Sequence, residues 1–165
     1  MATNFLEYAG GSNGFLVAPT NIISSELNSL GNGSTATSSV AGPFSQTTWS
    51  SGIILTGYFT AGAIMTATVG GVLAGWWLRS TDGGTTFESL VATASTTVAA
   101  LPRPPDFVIP VYEGGVALVT SSIKWAQSEF VYPWVSAKAL IQNLSGVTLP
   151  ATGNTIKVGS VAIQY

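Results

Sequence analysis

Apolar and polar residues alternate with a period of two along most of this chain, and no run of twelve residues carries a 3.6-residue repeat. The clearest segment is residues 72–80. Val72, Ala74, Trp76 and Leu78 fall on one face, and Leu73, Gly75, Trp77 and Arg79 on the other. Both faces are largely apolar, which predicts a central strand covered on both sides. Residues 136–143 set Ala137, Ala139 and Ile141 against Lys138, Leu140 and Gln142, and residues 155–165 place Val161, Ile163 and Tyr165 on one side. Residues 47–60 and 116–130 read as two further strands. Residues 26–40 alternate weakly around Gly31-Asn32-Gly33, a turn signal.

The punctuation between these runs also suits strands. Asp82-Gly83-Gly84 between apolar runs predicts a hairpin, with the Asp82 side chain bonded to backbone amides of the turn. Residues 101–110 (LPRPPDFVIP) contain four prolines, so they must be extended and cannot form a central strand. Residues 143–146 (NLSG) turn the chain. About eight strands at this spacing predict an all-β fold, an antiparallel β-sandwich of jelly-roll type. The domain is expected over residues 20–165. Residues 1–19 contain Gly10-Gly11 and Gly14 and are expected to be an extended N-terminal arm, ordered only if something holds it.

Composition sharpens this picture. Of 165 residues, 46% are hydrophobic and only 7% charged, against a usual charged share of about 25%. The net charge is -2, and there is no His and no Cys. Ser-His-Asp and Cys-His nucleophiles cannot be built, and zinc, copper, haem and iron–sulfur centres lose their usual ligands. Five dispersed cations cannot form the basic patch that nucleic acid requires. The first residues lack the basic and apolar regions of a secretory signal. Residues 61–78 (AGAIMTATVGGVLAGWWL) reach the length of a membrane span and contain a GxxxG pattern. Their Gly and Thr content and the flanking strand and hairpin signals favour β-structure instead. The expectation is therefore a protein with no catalytic residue, no cofactor, no metal, no nucleic-acid partner and no membrane segment.

Three patterns offer candidate chemistry. Ser80, Asp82, Gly84, Thr86 and Phe87 resemble the S-x-D-x-G-x-T-[WF] Asp-box of sialidase-like propellers, where the hairpin is structural. A sialidase-like site would also need an arginine cluster, and only Arg79 and Arg103 are at hand. Asp82 and Glu88 flank the hairpin and could face each other as a glycosidase pair, whereas Asp106, Glu113 and Glu129 look isolated in apolar surroundings. Trp76, Trp77, Trp125, Phe130, Tyr132 and Trp134 could line a sugar platform, but core packing is the commoner fate of such residues. The low charge itself suits a surface buried in an assembly, because charged residues are depleted at interface cores.

The succession of WWLRSTDGGTTFE (residues 76–88), RPPDFVIPV (103–111) and KALIQNLSGVTLPATGNTIKV (138–158) resembles small virion proteins of tailed bacteriophages, in particular capsid decoration, or cement, proteins. That resemblance implies a β-sandwich without enzymatic activity or cofactor, located on the capsid surface of the virion after assembly in the host cytoplasm. It implies the major capsid protein and further copies of the chain as partners, with a trimer preferred over a dimer. A tail or head-fibre component, or a carbohydrate-binding β-sandwich touching the host, is the alternative. Phe5, Leu6, Tyr8, Phe15, Leu16 and Val17 make the arm too apolar for a free tail, and with Arg103 and Trp134 they are the expected capsid or oligomer contacts.

Overall fold

The computed structural model describes residues 7–9, 17–39, 53–91, 101–111, 123–128 and 136–164. Among these residues nine strands follow in chain order: β1 Glu7–Ala9, β2 Val17–Ile23, β3 Thr35–Thr37, β4 Ile53–Thr60, β5 Val72–Ser80, β6 Phe107–Pro110, β7 Ile123–Ser128, β8 Ser136–Leu144 and β9 Thr155–Gln164. Among the described residues the only helix is a 3₁₀ turn, Ser25–Leu27, and no helix is long and apolar enough to cross a membrane. Residues 61–78 resolve into a loop followed by β5.

The strands form two antiparallel sheets. One has the order β2–β9–β4–β7, with β1 on the same edge of β9 as β2; the other has the order β3–β8–β5–β6. The pairing is nested: β2 pairs with β9, β3 with β8, β4 with β7 and β5 with β6. Two cross-links, β4 with β9 and β5 with β8, join these pairs into sheets. The chain is thus one long hairpin, folded between β5 and β6 and then rolled. Even the innermost pairing, β5 with β6, is separated by residues 81–106, so the pairings must be fixed by side-chain pattern rather than by short turns.

That pattern is visible in β5 and β8. Leu73 and Trp77 of β5, Ala137, Ala139 and Ile141 of β8, and Phe107 and Ile109 of β6 face a core shared with Ile22, Ile23, Phe59, Ile156 and Val158 of the other sheet. Gly75 lies under the Phe107 ring, where a Cβ would come within 2.1 Å of it. That space lets Phe107 stack obliquely on Trp77, with centroids 5.0 Å apart. The opposite face of β5 and β8 is also covered. Ala74, Trp76, Leu78 and Leu140 form a second cluster under Phe87, Leu90, Val91 and Leu101. The expectation of a central strand covered on both sides holds for β5.

Several expectations needed correction. Among the described residues Ser80–Phe87 is not followed by a second strand paired with β5, whose neighbours there are β8 and β6. Its turn returns the chain far enough for the Glu88 amide to reach Arg79 O at 2.9 Å. The turn read at Gly31-Asn32-Gly33 separates a 3₁₀ turn, Ser25–Leu27, from the three-residue strand β3, and Glu26 and the residues around that turn make local backbone bonds. The boundary drawn after residue 19 falls inside β2. Pro19 lies in a stretch of shifted register between Val17 and Thr20, the kind of position where a strand tolerates proline. The proline-rich segment does end in an edge strand, β6.

The loops beside β3 are held by the buried Asn143. Asn143 donates from Nδ2 to Leu30 O and Val147 O, both at 2.8 Å, and accepts from the Ser145 amide at 3.0 Å. Both carbonyls keep a second donor, Leu149 N and Ser145 Oγ. Asn143→Ala should therefore cost only about 2 kcal/mol, the lower half of what three lost buried bonds would suggest. Urea denaturation checks this, and a loss under 0.5 kcal/mol, roughly the floor for one such bond, would contradict it.

Candidate functional site

Chemistry-bearing side chains gather where β5 runs past the end of β6. In a strand, the N–H and C=O of every second residue point to the same edge. On the β6 side of β5 these are the odd-numbered residues. Gly71 O accepts from Val111 N at 3.0 Å and Gly75 O from Asp106 N at 2.8 Å. Beyond this point prolines 102, 104 and 105 supply no amide, so a strand cannot continue. Side chains take over. The Trp77 amide donates to Asp106 Oδ2 at 2.7 Å, and Arg103 Nη2 donates to Trp77 O at 2.9 Å. The Glu88 amide completes the row at Arg79 O.

The clip is itself tied together. Arg103 Nη1 meets Asp106 Oδ1 at 2.7 Å, Arg103 Nη2 meets Glu88 Oε2 at 3.3 Å, and Arg79 Nη2 lies 3.5 Å from Asp106 Oδ1. Partial burial works against the Arg103 charge, but Asp106 and then Glu88 outweigh it and raise its pKa above the ordinary guanidinium value. The Trp76 indole N–H, on the opposite face, donates to Arg103 O at 3.0 Å. Asp106, expected to be isolated, is paired with two arginines. Asp82 and Glu88, considered as a facing pair, serve separate networks.

Asp82 organises the turn beyond β5. Its carboxylate accepts from Thr86 Oγ1 at 2.6 Å, from the Thr86 and Thr85 amides at 2.9 and 3.1 Å, and from Ser80 Oγ at 2.7 Å. Ser80 Oγ in turn accepts from Gly84 N at 2.8 Å. The bonds from Thr86 and Ser80 hold the carboxyl well below the usual range. Gly83 and Gly84 have φ of 76° and 91°, conformations that favour glycine. The expected cap of the turn is present, with every carboxylate bond directed inward.

Glu26 plays a similar part in the 3₁₀ turn. It accepts from the Ser39 amide at 2.8 Å and the Ser24 amide at 3.1 Å. Partial burial would raise its pKa, but bonds from Ser39 and Ser24 dominate and lower it from 4.5 to about 2. The unfolded chain takes up this proton near pH 4.5 while the folded chain refuses it until about pH 2, so stability is lost as pH falls through that interval. Glu26→Gln should be less stable than the parent at pH 7, and the gap should close towards pH 2. A gap that is constant from pH 7 to pH 2 in urea titrations would contradict this role.

The expected contacts are distributed unevenly. Tyr8 and Val17 lie on β1 and β2, opposite Ile163 and Ser160 of β9. Phe5, Leu6, Phe15, Leu16 and Trp134 lie outside the described residues. Arg103 belongs to the clip. Trp76 and Trp77, two of the six aromatics considered for a sugar platform, are buried. Among the described residues no cluster of three or more His, Cys, Asp or Glu could hold a metal ion.

The sequence reading missed an apolar end. Ile64 is 62% exposed and Val69 81%, both in the β4–β5 loop, and Leu144 is exposed at the end of β8. Neither residues 61–71 nor residues 145–154 include a charge. These loops are firmly held: Thr68 N and Oγ1 both donate to Ser145 O, and Asn154 accepts from Gly62 N while donating to Asn28 Oδ1 and Pro150 O. The sequence signal of this end is the absence of charge between Glu26 and Arg79, of which only residues 61–78 enter the membrane-span reading. No protein-family model, no curated protein and no solved structure matches this chain.

Proposed function

We propose that this chain is a structural protein of a tailed-bacteriophage virion, a capsid decoration or cement protein that binds the head as a homo-oligomer and stabilises it. Its fold, on this reading, is a jelly roll. The nested pairing of β2 with β9 through β5 with β6 supports that assignment, since two Greek keys rolled from one long hairpin have this order. Jelly rolls serve in capsids and in lectins alike, so the fold alone does not choose a function.

The observation that carries the reading is where the charge goes. Arg79, Glu88, Arg103 and Asp106 are joined in the clip, and Glu26 and Asp82 hold turns. Lys138 Nζ lies 4.7 Å from the centroid of the Phe87 ring. Seven of the twelve charged residues are thus engaged with their own fold, and the loops at one end present Ile64 and Val69 to solvent. A free monomer normally carries interspersed surface charge. A protein that spends its life covered by neighbours does not need it. The uncharged loop end is the proposed contact with the major capsid protein.

The test is a binding experiment on heads that lack this protein. The wild-type chain should co-sediment with them and raise their resistance to heat. Ile64→Asp combined with Val69→Asp, at sites exposed enough to leave folding intact, should reduce occupancy at least tenfold, the effect of about 1.4 kcal/mol. Wild-type protein that stays in the supernatant, or undiminished occupancy by the double variant, would overturn the assignment or the contact respectively.

A further inference from the structure

The clip at β5 has a consequence for association that holds whether or not the chain belongs to a phage. A sheet edge with free N–H and C=O groups is a template for a strand from another molecule. Among the described residues β6 pairs with β5 from Val72 to Gly75, so the edge at Trp77 and Arg79 extends past that backbone partner. There Asp106 takes the Trp77 N–H, Arg103 takes the Trp77 C=O and the Glu88 amide takes the Arg79 C=O. These are the groups that an added strand would use.

We propose that Arg103 and Asp106 form an edge guard: two charged side chains standing in for a strand, so that a second copy of this chain cannot pair with β5 at Trp77–Arg79. Three features fit a guard better than a generic surface ion pair. The Asp106 side chain is only 9% exposed, so its bond to Trp77 is shielded from water. The guanidinium spans Asp106 Oδ1, Trp77 O and Glu88 Oε2, an arrangement suited to the fork of arginine and not to lysine. Prolines 102, 104 and 105 keep the guarding segment from donating as a strand of its own. Assembly of this protein must then use other surfaces.

The experiment measures amide exchange at Trp77 and the sedimentation mass of the full chain over a concentration series. Asp106→Ala removes the acceptor and should speed Trp77 exchange on the order of tenfold to a hundredfold, with core amides such as that of Ile141 unchanged. It should also raise the mass above the wild type at equal concentration. Asp106→Asn keeps an acceptor oxygen and should stay close to wild type in Trp77 exchange. Arg103→Leu, which leaves Asp106 in place, provides a milder second variant and should also associate. Lys157→Leu removes an exposed charge elsewhere and should leave the mass unchanged. Unaltered Trp77 exchange in Asp106→Ala, unaltered mass in both Asp106→Ala and Arg103→Leu, or equal association by Lys157→Leu would overturn the guard.

Discussion

Trp77→Ala is expected to remove about 3–5 kcal/mol of folding stability, the range for truncating a fully buried aromatic. Trp77 is 1% exposed and lies at the centre of the shared core, beside Phe107 and opposite the other sheet. The void would not close easily. Its neighbours Ala137 and Ala139 are already small, and Phe107 is held in place over Gly75. The backbone of Trp77 also carries the Arg103–Asp106 clip, so any shift of β5 to fill the void strains those bonds. Against a total of about 5–15 kcal/mol for a domain, such a loss leaves a marginal fold. Urea denaturation should show the midpoint falling with little change in slope. A loss under 1 kcal/mol, far below the range for a buried aromatic, would mean that Trp77 is not packed as described.

Gly62→Ala should be comparably damaging for a different reason. A Cβ at Gly62 would sit 1.6 Å from Thr152 O and 2.8 Å from the Gly153 Cα. Both are backbone atoms, so no side-chain rotation can relieve the overlap, and the β4–β5 and β8–β9 loops must separate. That separation pulls Gly62 N away from Asn154 Oδ1, and Asn154 also fastens Asn28 and Pro150. Overpacking alone costs about 1–3 kcal/mol. Loss of the buried Asn154 bond adds about 1 kcal/mol. The expected total, about 3 kcal/mol, is large for the addition of one methyl group. Ala63→Gly, next door on an exposed residue, should cost well under half as much. Equal effects at the two positions would show that the close backbone approach is not what matters.

These two sites mark what the sequence made legible and what it hid. Alternation located β5, β8 and β9 because each has an apolar face long enough to register a period of two. It also placed Trp77 in the core, since both faces of its strand read as apolar. The four prolines of residues 101–110 excluded a central strand, and β6 lies at the end of its sheet. The clip was not legible: Arg103 and Asp106 are three residues apart and look like scattered charges until the fold sets them beside the backbone of Trp77. Gly62 was equally silent, because its role depends on Thr152 and Gly153, ninety residues away in the chain. The β1 and β2 pairings with β9 also lay beyond local reading, since their apolar residues gave no register. Chemistry that acts across long separations carries no local periodicity, and most of the candidate site is of that kind.

The proposal that this chain is a component of a phage particle is tested most directly by quantitative mass spectrometry of gradient-purified particles from a lysate in which the chain is expressed. The account predicts peptides of this chain in the particle band, in a fixed ratio to the major capsid protein from one preparation to the next. Recovery of the chain only in the soluble lysate, with none in the particle band, would contradict it.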